Sequence, residues 1–147
     1  ILGNSYNEIK DYKKSDESYE KALGFLPDNV QVLNNYAYYL SVRKVNLERA
    51  KVMSFKCNEL EQNNGTYQDT YAWILYEMGD YADANIWMQK SLTNGGDKSA
   101  VVVEHYGDIL YKLGEVKLAV EQWKRAKELG EGSKELAKKI TEGKLYE

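Results

Sequence analysis

His105 is the chain's only histidine, and it stands among carboxylic acids: Glu104 beside it and Asp108 one helical turn on, within EHYGDILYKLG, residues 104–114. A base held by a carboxylate is what general acid–base chemistry requires, provided a nucleophile lies within reach. On a helix Glu104 and Asp108 share a face, and His105 is rotated about 100° from Glu104. No serine or cysteine is placed by the pattern to complete such a set, so His105 reads as structural. A metal site would require Asp69, Glu104 and Asp108 to converge, and acids at this spacing are common on acidic helices. The single cysteine, Cys57, excludes an internal disulfide and any multi-thiolate zinc site. No catalytic residue, metal ligand or cofactor is assigned.

The elements that would carry these residues come from a chain of 147 residues, 43% hydrophobic and 29% charged, suited to one globular domain. At this length roughly two-thirds of the unfolded surface can be buried. The formal net charge of −3 argues against nucleic-acid binding, which is driven by displacing counterions with Lys and Arg. The basic residues Lys124, Arg125, Lys127, Lys134, Lys138 and Lys139 alternate with Glu121, Glu128, Glu131 and Glu135, the pattern of a solvated face. No stretch approaches the ~20 apolar residues of a membrane span, and no direct membrane insertion is expected. The chain opens ILGNSYNEIK without a methionine, and the expectation is a fragment of a longer protein.

Internal repetition organises the rest. TYAWILYEMGDY (70–81) aligns with HYGDILYKLGEV (105–116): Tyr71 with Tyr106, Ile74-Leu75-Tyr76 with Ile109-Leu110-Tyr111, Gly79 with Gly114. Stepping back gives NYAYYLSVRKVN (35–46) and LGNSYNEIKDY (2–12). Three ladders of small residues follow the period: Gly3, Ala37, Ala72 and Gly107; Ser15, Ala50, Ala84 and Ala119; Ala22, Cys57, Ser91 and Ala126. Helices approach closely only where side chains at the crossing are small. Each period therefore holds two helices, with Gly79 and Gly114 at the turn between them. Pro27, EQNNG, TNGGD and ELGEG end the second helices.

The pattern resembles the tetratricopeptide repeat, a 34-residue helix–turn–helix unit. Tyr12, Tyr19, Ala22 and Pro27 carry the likeness in the first unit, and Gly107, Leu110, Gly114, Ala119, Trp123 and Ala126 in the last. The departures are a partial first unit, an extra residue near Val45–Leu47 with no glycine at that turn, and another near NGGDKS. The resemblance implies an all-α right-handed superhelical solenoid of about four units plus a C-terminal capping helix. The array would occupy 1–130, in units of about 1–29 (partial), 30–64, 65–99 and 100–130, with the cap at 131–147. A softer similarity joins the wording of 33–114 to the C-terminal repeats of bacterial envelope proteins, often lipoproteins. It implies a periplasmic or cell-envelope setting that the residues themselves do not indicate.

Tyr36, Tyr71 and Tyr106 share one register and should pack, as should Tyr19 and Trp123 in the bulky second-helix slot. Tyr38, Trp73 and Asp108 share another register, and Ser41, Tyr76 and Tyr111 a third. The family resemblance implies that these, with Asn34, Asp69 and Glu104, face a concave groove. The candidate ligand-binding residues are therefore Asn34, Tyr38, Asp69, Trp73, Tyr76, Glu104, Asp108 and Tyr111. Rings offer contact area at little entropic cost, and neighbouring carboxylates would favour a basic or amide-rich peptide. An acidic C-terminal tail would be repelled.

SKELAKKITEGKLY (133–146), opening on a capping-type Ser133, offers Leu136, Ala137, Ile140 and Leu145 as one apolar edge. It suits a helix that covers the last repeat. The partial first unit would leave Leu2, Tyr6 and Ile9 uncovered, and self-association through this open N-terminal end is a corollary. The expected role is a non-enzymatic scaffold for a peptide or partner protein. The alternative is a structural or oligomerisation segment contacting its own chain or another copy, and exposure of Tyr38, Trp73, Tyr76 and Tyr111 discriminates the two.

Overall fold

The computed structural model describes residues 11–146. Eight α-helices make up its regular structure, joined by short turns: α1 Tyr12–Phe25, α2 Val30–Arg43, α3 Leu47–Leu60, α4 Gly65–Glu77, α5 Tyr81–Thr93, α6 Ala100–Lys112, α7 Val116–Leu129 and α8 Leu136–Glu142. A single 3₁₀ turn, Gly96–Lys98, absorbs the extra residue expected near NGGDKS. Residues Leu2, Gly3, Tyr6 and Ile9 lie outside the described range. Among the described residues there is no strand, and no helix is long and apolar enough to cross a membrane.

The chain divides into two compact units, Ile1–Gln62 and Asn63–Glu147. The first contains α1–α3, with α2 packed on both α1 and α3; the second contains the hairpins α4/α5 and α6/α7, with α8 against α7.

Local chemistry sets the boundaries. Asp11, Asn29, Asn64, Asp80 and Ser99 each accept a hydrogen bond from a backbone N–H three residues on, satisfying first-turn donors that have no helical partner. The hairpin turns share one bonding pattern. Asp80 N donates to Leu75 O at 2.9 Å, Glu115 N to Leu110 O at 2.9 Å and Val45 N to Leu40 O at 3.1 Å. That bond requires a left-handed residue just past the helix end. Gly79 (φ 83°) and Gly114 (φ 87°) supply it, and in the turn without glycine Lys44 adopts φ 58° at the equivalent position, followed by Asn46 at φ 48°.

The small-residue ladders lie at the helix crossings. Ala37, Ala72, Ser15, Ala50, Ala84 and Ala119 are fully buried. A Cβ on Gly107 would stand 2.5 Å from Cδ1 and Nε1 of Trp123, so that crossing accepts only glycine without rearrangement. In the third ladder Cys57, Ser91 and Ala126 are sealed, whereas Ala22 is half-buried. Two of these tie the second helix to the start of the first: Ser91 Oγ donates to Gly65 O at 2.7 Å and Cys57 Sγ to Val30 O at 3.5 Å. Burial and the negative Glu61 nearby push the Cys57 thiol up to about 12, which leaves it in the unreactive protonated form. Tyr19 and Trp123, in the bulky slot, are sealed in the core with Met88.

Candidate functional site

The residues of the proposed stripe lie on the first helix of each hairpin, α2, α4 and α6, but they do not form an open acidic face. In the second unit the carboxylates are consumed internally. Glu104 and Asp108, four apart on α6, both receive the ammonium of Lys139 on α8: Nζ stands 2.6 Å from Glu104 Oε2, and 2.9 and 3.2 Å from the two Asp108 oxygens. All three side chains are buried. Asp108 also accepts from Trp123 Nε1 at 2.9 Å, and Glu104 from Ser133 N at 2.6 Å and from the Ser133 hydroxyl. Gly132 permits the approach, since a Cβ there would collide with Glu104 Oε1.

Ser133 is therefore not a helix cap. Helix α8 starts at Leu136 with Glu135 in the cap position and no side-chain cap; Ser133 stands two residues before that position and donates from both its backbone N–H and its hydroxyl to Glu104. Ala137, expected on the apolar edge of α8, is exposed, while Leu136 is buried and Ile140 half-buried.

Asp69 on α4 is paired as well. Its Oδ1 lies 3.0 Å from His105 Nδ1. The imidazole stacks on Trp73, with centroids 3.9 Å apart and planes 16° apart, and Tyr76 stacks on the same indole at 4.4 Å and 10°. Two near-parallel rings so close to one centroid cannot lie side by side without colliding, so Tyr76 and His105 cover opposite faces of Trp73. His105 and Tyr76 are buried, and Trp73 is half-buried.

The charges follow from these contacts. Burial works against the ionised Glu104, but the hydrogen bonds from Lys139 and Ser133 outweigh it and hold the carboxyl below its ordinary value. Burial dominates at Asp108 and raises it despite Lys139. Burial favours neutral His105, yet the charge and hydrogen bond of Asp69, with Asp108 and Glu104 nearby, carry it above the ordinary imidazole range. Lys139 follows the same logic, its two carboxylates overcoming burial and raising it.

Chemically this is a set of acids paired with basic nitrogens. Among the described residues no three His, Cys, Asp or Glu groups are arranged to hold a metal. A serine does reach Glu104, which the sequence pattern did not indicate, but the imidazole is turned to Asp69, so hydroxyl and base are not paired. The remaining stripe residues divide. Tyr111 is half-buried, with its ring 5.9 Å from that of Trp123. In the first unit Tyr38 is half-buried against Tyr39. Ser41 is sealed and donates to Tyr38 O, and Asn34 is buried with its side-chain oxygen lacking a partner among the described residues. Sequence reasoning missed Lys139 and Ser133; the available signal was a nitrogen base 36 residues after Asp69 and 35 after Glu104, while Asp108 shares Lys139 at a separation of 31.

Comparison with known proteins agrees with this architecture. The tetratricopeptide repeat family model matches residues 1–29. A TPR repeat-containing protein of Pseudomonas aeruginosa is 30% identical over 93 residues, which is 60% of this chain and 15% of that protein's length. Among solved structures, Pseudomonas aeruginosa PilF superposes with a TM-score of 0.75 at 24% identity, over 97% of this chain and 68% of PilF. MamA of AMB-1 gives 0.71 at 20% identity, over 87% of this chain and 75% of MamA. These likenesses establish the fold, an all-α solenoid of helical hairpins.

Proposed function

We propose that the chain is a tetratricopeptide-repeat protein and a non-enzymatic scaffold, binding a protein partner through rings on its first helices. One observation carries the reading: Tyr38 and Tyr111 stay only half-buried on α2 and α6, although the same fold seals Tyr19 and Trp123 completely. Rings left partly open on a rigid helix give contact area with little entropy to lose. The buried pairing of Asp69, Glu104 and Asp108 removes the charge that would select a basic peptide, so the favoured partner presents amide and apolar groups.

The second reading, a segment that serves its own chain, is favoured by the fate of Trp73, whose two faces are already covered by Tyr76 and His105. A cross-linking pull-down from the source cell separates the two. The baits are the wild type and a Tyr38→Ala/Tyr111→Ala variant shown to be folded by circular dichroism. Capture of a partner by the wild type and its loss in the variant supports the scaffold. Equal capture by both places binding on another surface, and capture by neither favours the structural reading.

A further inference from the structure

His105 fills a repeat slot that holds Asn35 and Thr70 in the preceding units, so this one hairpin has a titratable group where its neighbours have neutral ones. It also joins two helices of one unit: Asp69 and Trp73 come from α4 and His105 from α6. Among the described residues, carboxylates and one ammonium surround it. Asp69 faces it from α4, Glu104 and Asp108 lie on its own helix, Lys139 of α8 sits beyond Asp108, and the Tyr76 phenol lies across the indole.

We infer that His105 is a proton-operated cover for Trp73: the imidazolium is clamped between Asp69 and the indole face, and loss of the proton loosens the clamp and opens that face. Two attractions depend on the charge. The pair with Asp69 at 3.0 Å changes from ion pair to neutral hydrogen bond. The ring at 3.9 Å changes from a cation over a π-face to a neutral stack. Tyr76 remains on the other face in both states, so the change is confined to the α6 side of Trp73. Burial of the imidazole opposes the charged form and Asp69 overcomes it, which places the transition above the ordinary imidazole range.

The single histidine makes the test direct, because its ring resonances report one site. The imidazole is titrated by NMR from about pH 5.5 to 8.5, below the range where ordinary tyrosines ionise appreciably. Acrylamide quenching of tryptophan fluorescence is followed over the same range. Trp73 is isolated from Trp87 and Trp123 by subtracting a Trp73→Phe variant. The expected result is a rise in Trp73 quenching of about two-fold or more, with the midpoint of the imidazole titration, and no such rise in His105→Asn. Constant quenching while the imidazole titrates overturns the inference, as does a pH-dependent rise that survives in His105→Asn. If His105→Asn does not fold, coincidence or separation of the two wild-type midpoints decides the question alone.

Discussion

Lys139 donates to Glu104 across 35 residues, and Asp69 bonds His105 across 36. A carboxylate on one first helix thus meets a nitrogen base one repeat later, twice in succession. Helix α8 therefore relates to α6 as α6 relates to α4, and the C-terminal segment continues the order of first helices. The acids that a stripe-by-register reading offers to a ligand act as rungs between helices.

Glu104 is held below its ordinary value, about 4.5, mainly because Lys139 and Ser133 outweigh burial. A lowered acid contributes stability that is present above the unfolded value and lost as pH falls through the folded one. The margin of wild type over Glu104→Gln in urea denaturation should therefore be full at neutral pH and shrink below about pH 4.5. His105, being raised, has the opposite sign: its contribution is full below about pH 6.5 and is lost as pH climbs through the folded-state value. The margin over His105→Asn should fall on the alkaline side, and a margin independent of pH would contradict the pairing with Asp69.

Two glycine substitutions should move stability in opposite directions. Gly107→Ala drives a methyl to 2.5 Å from the Trp123 ring and should cost about 1–3 kcal/mol through overpacking, more than the helix propensity it gains. Gly24→Ala, in the last turn of α1 with nothing within 4 Å, should stabilise by up to about 1 kcal/mol. Thermal denaturation of both variants reads the signs directly.

Cys57, fully buried with its thiol pushed up to about 12, should resist alkylation in the native state. Its rate of labelling by iodoacetamide, followed by mass spectrometry across a urea series, should track global unfolding. Rapid labelling without denaturant would show that the crossing of α2 and α3 opens locally.

Much of this was legible in the residues. Small side chains at the crossings and glycine at two turns are signals with a steric cause, and helices formed where those signals lie. Lys44 was not legible, because a left-handed lysine leaves no mark in composition; its conformation goes with the bond from Val45 N to Leu40 O that closes the turn. The stripe positions were recoverable from register. Their roles were not, because the charge of Glu104 and Asp108 depends on Lys139, a residue in a segment whose own pattern shows only an apolar edge. Trp73 illustrates the same limit: period places it on the stripe, while the covering of both its faces depends on Tyr76 one turn away and His105 one repeat away.

The central claim, that the first-helix acids bond helices together, is tested most directly by a double-mutant cycle on Glu104 and Lys139 in urea unfolding. Lys139→Met alone leaves two carboxylates buried without their cation and should cost about 3–5 kcal/mol. With Glu104→Gln added, the loss should be smaller than the sum of the single losses by at least about 1.5 kcal/mol. Losses that add to within about 0.5 kcal/mol would contradict the account and return Glu104 to the surface as a group free to meet a ligand.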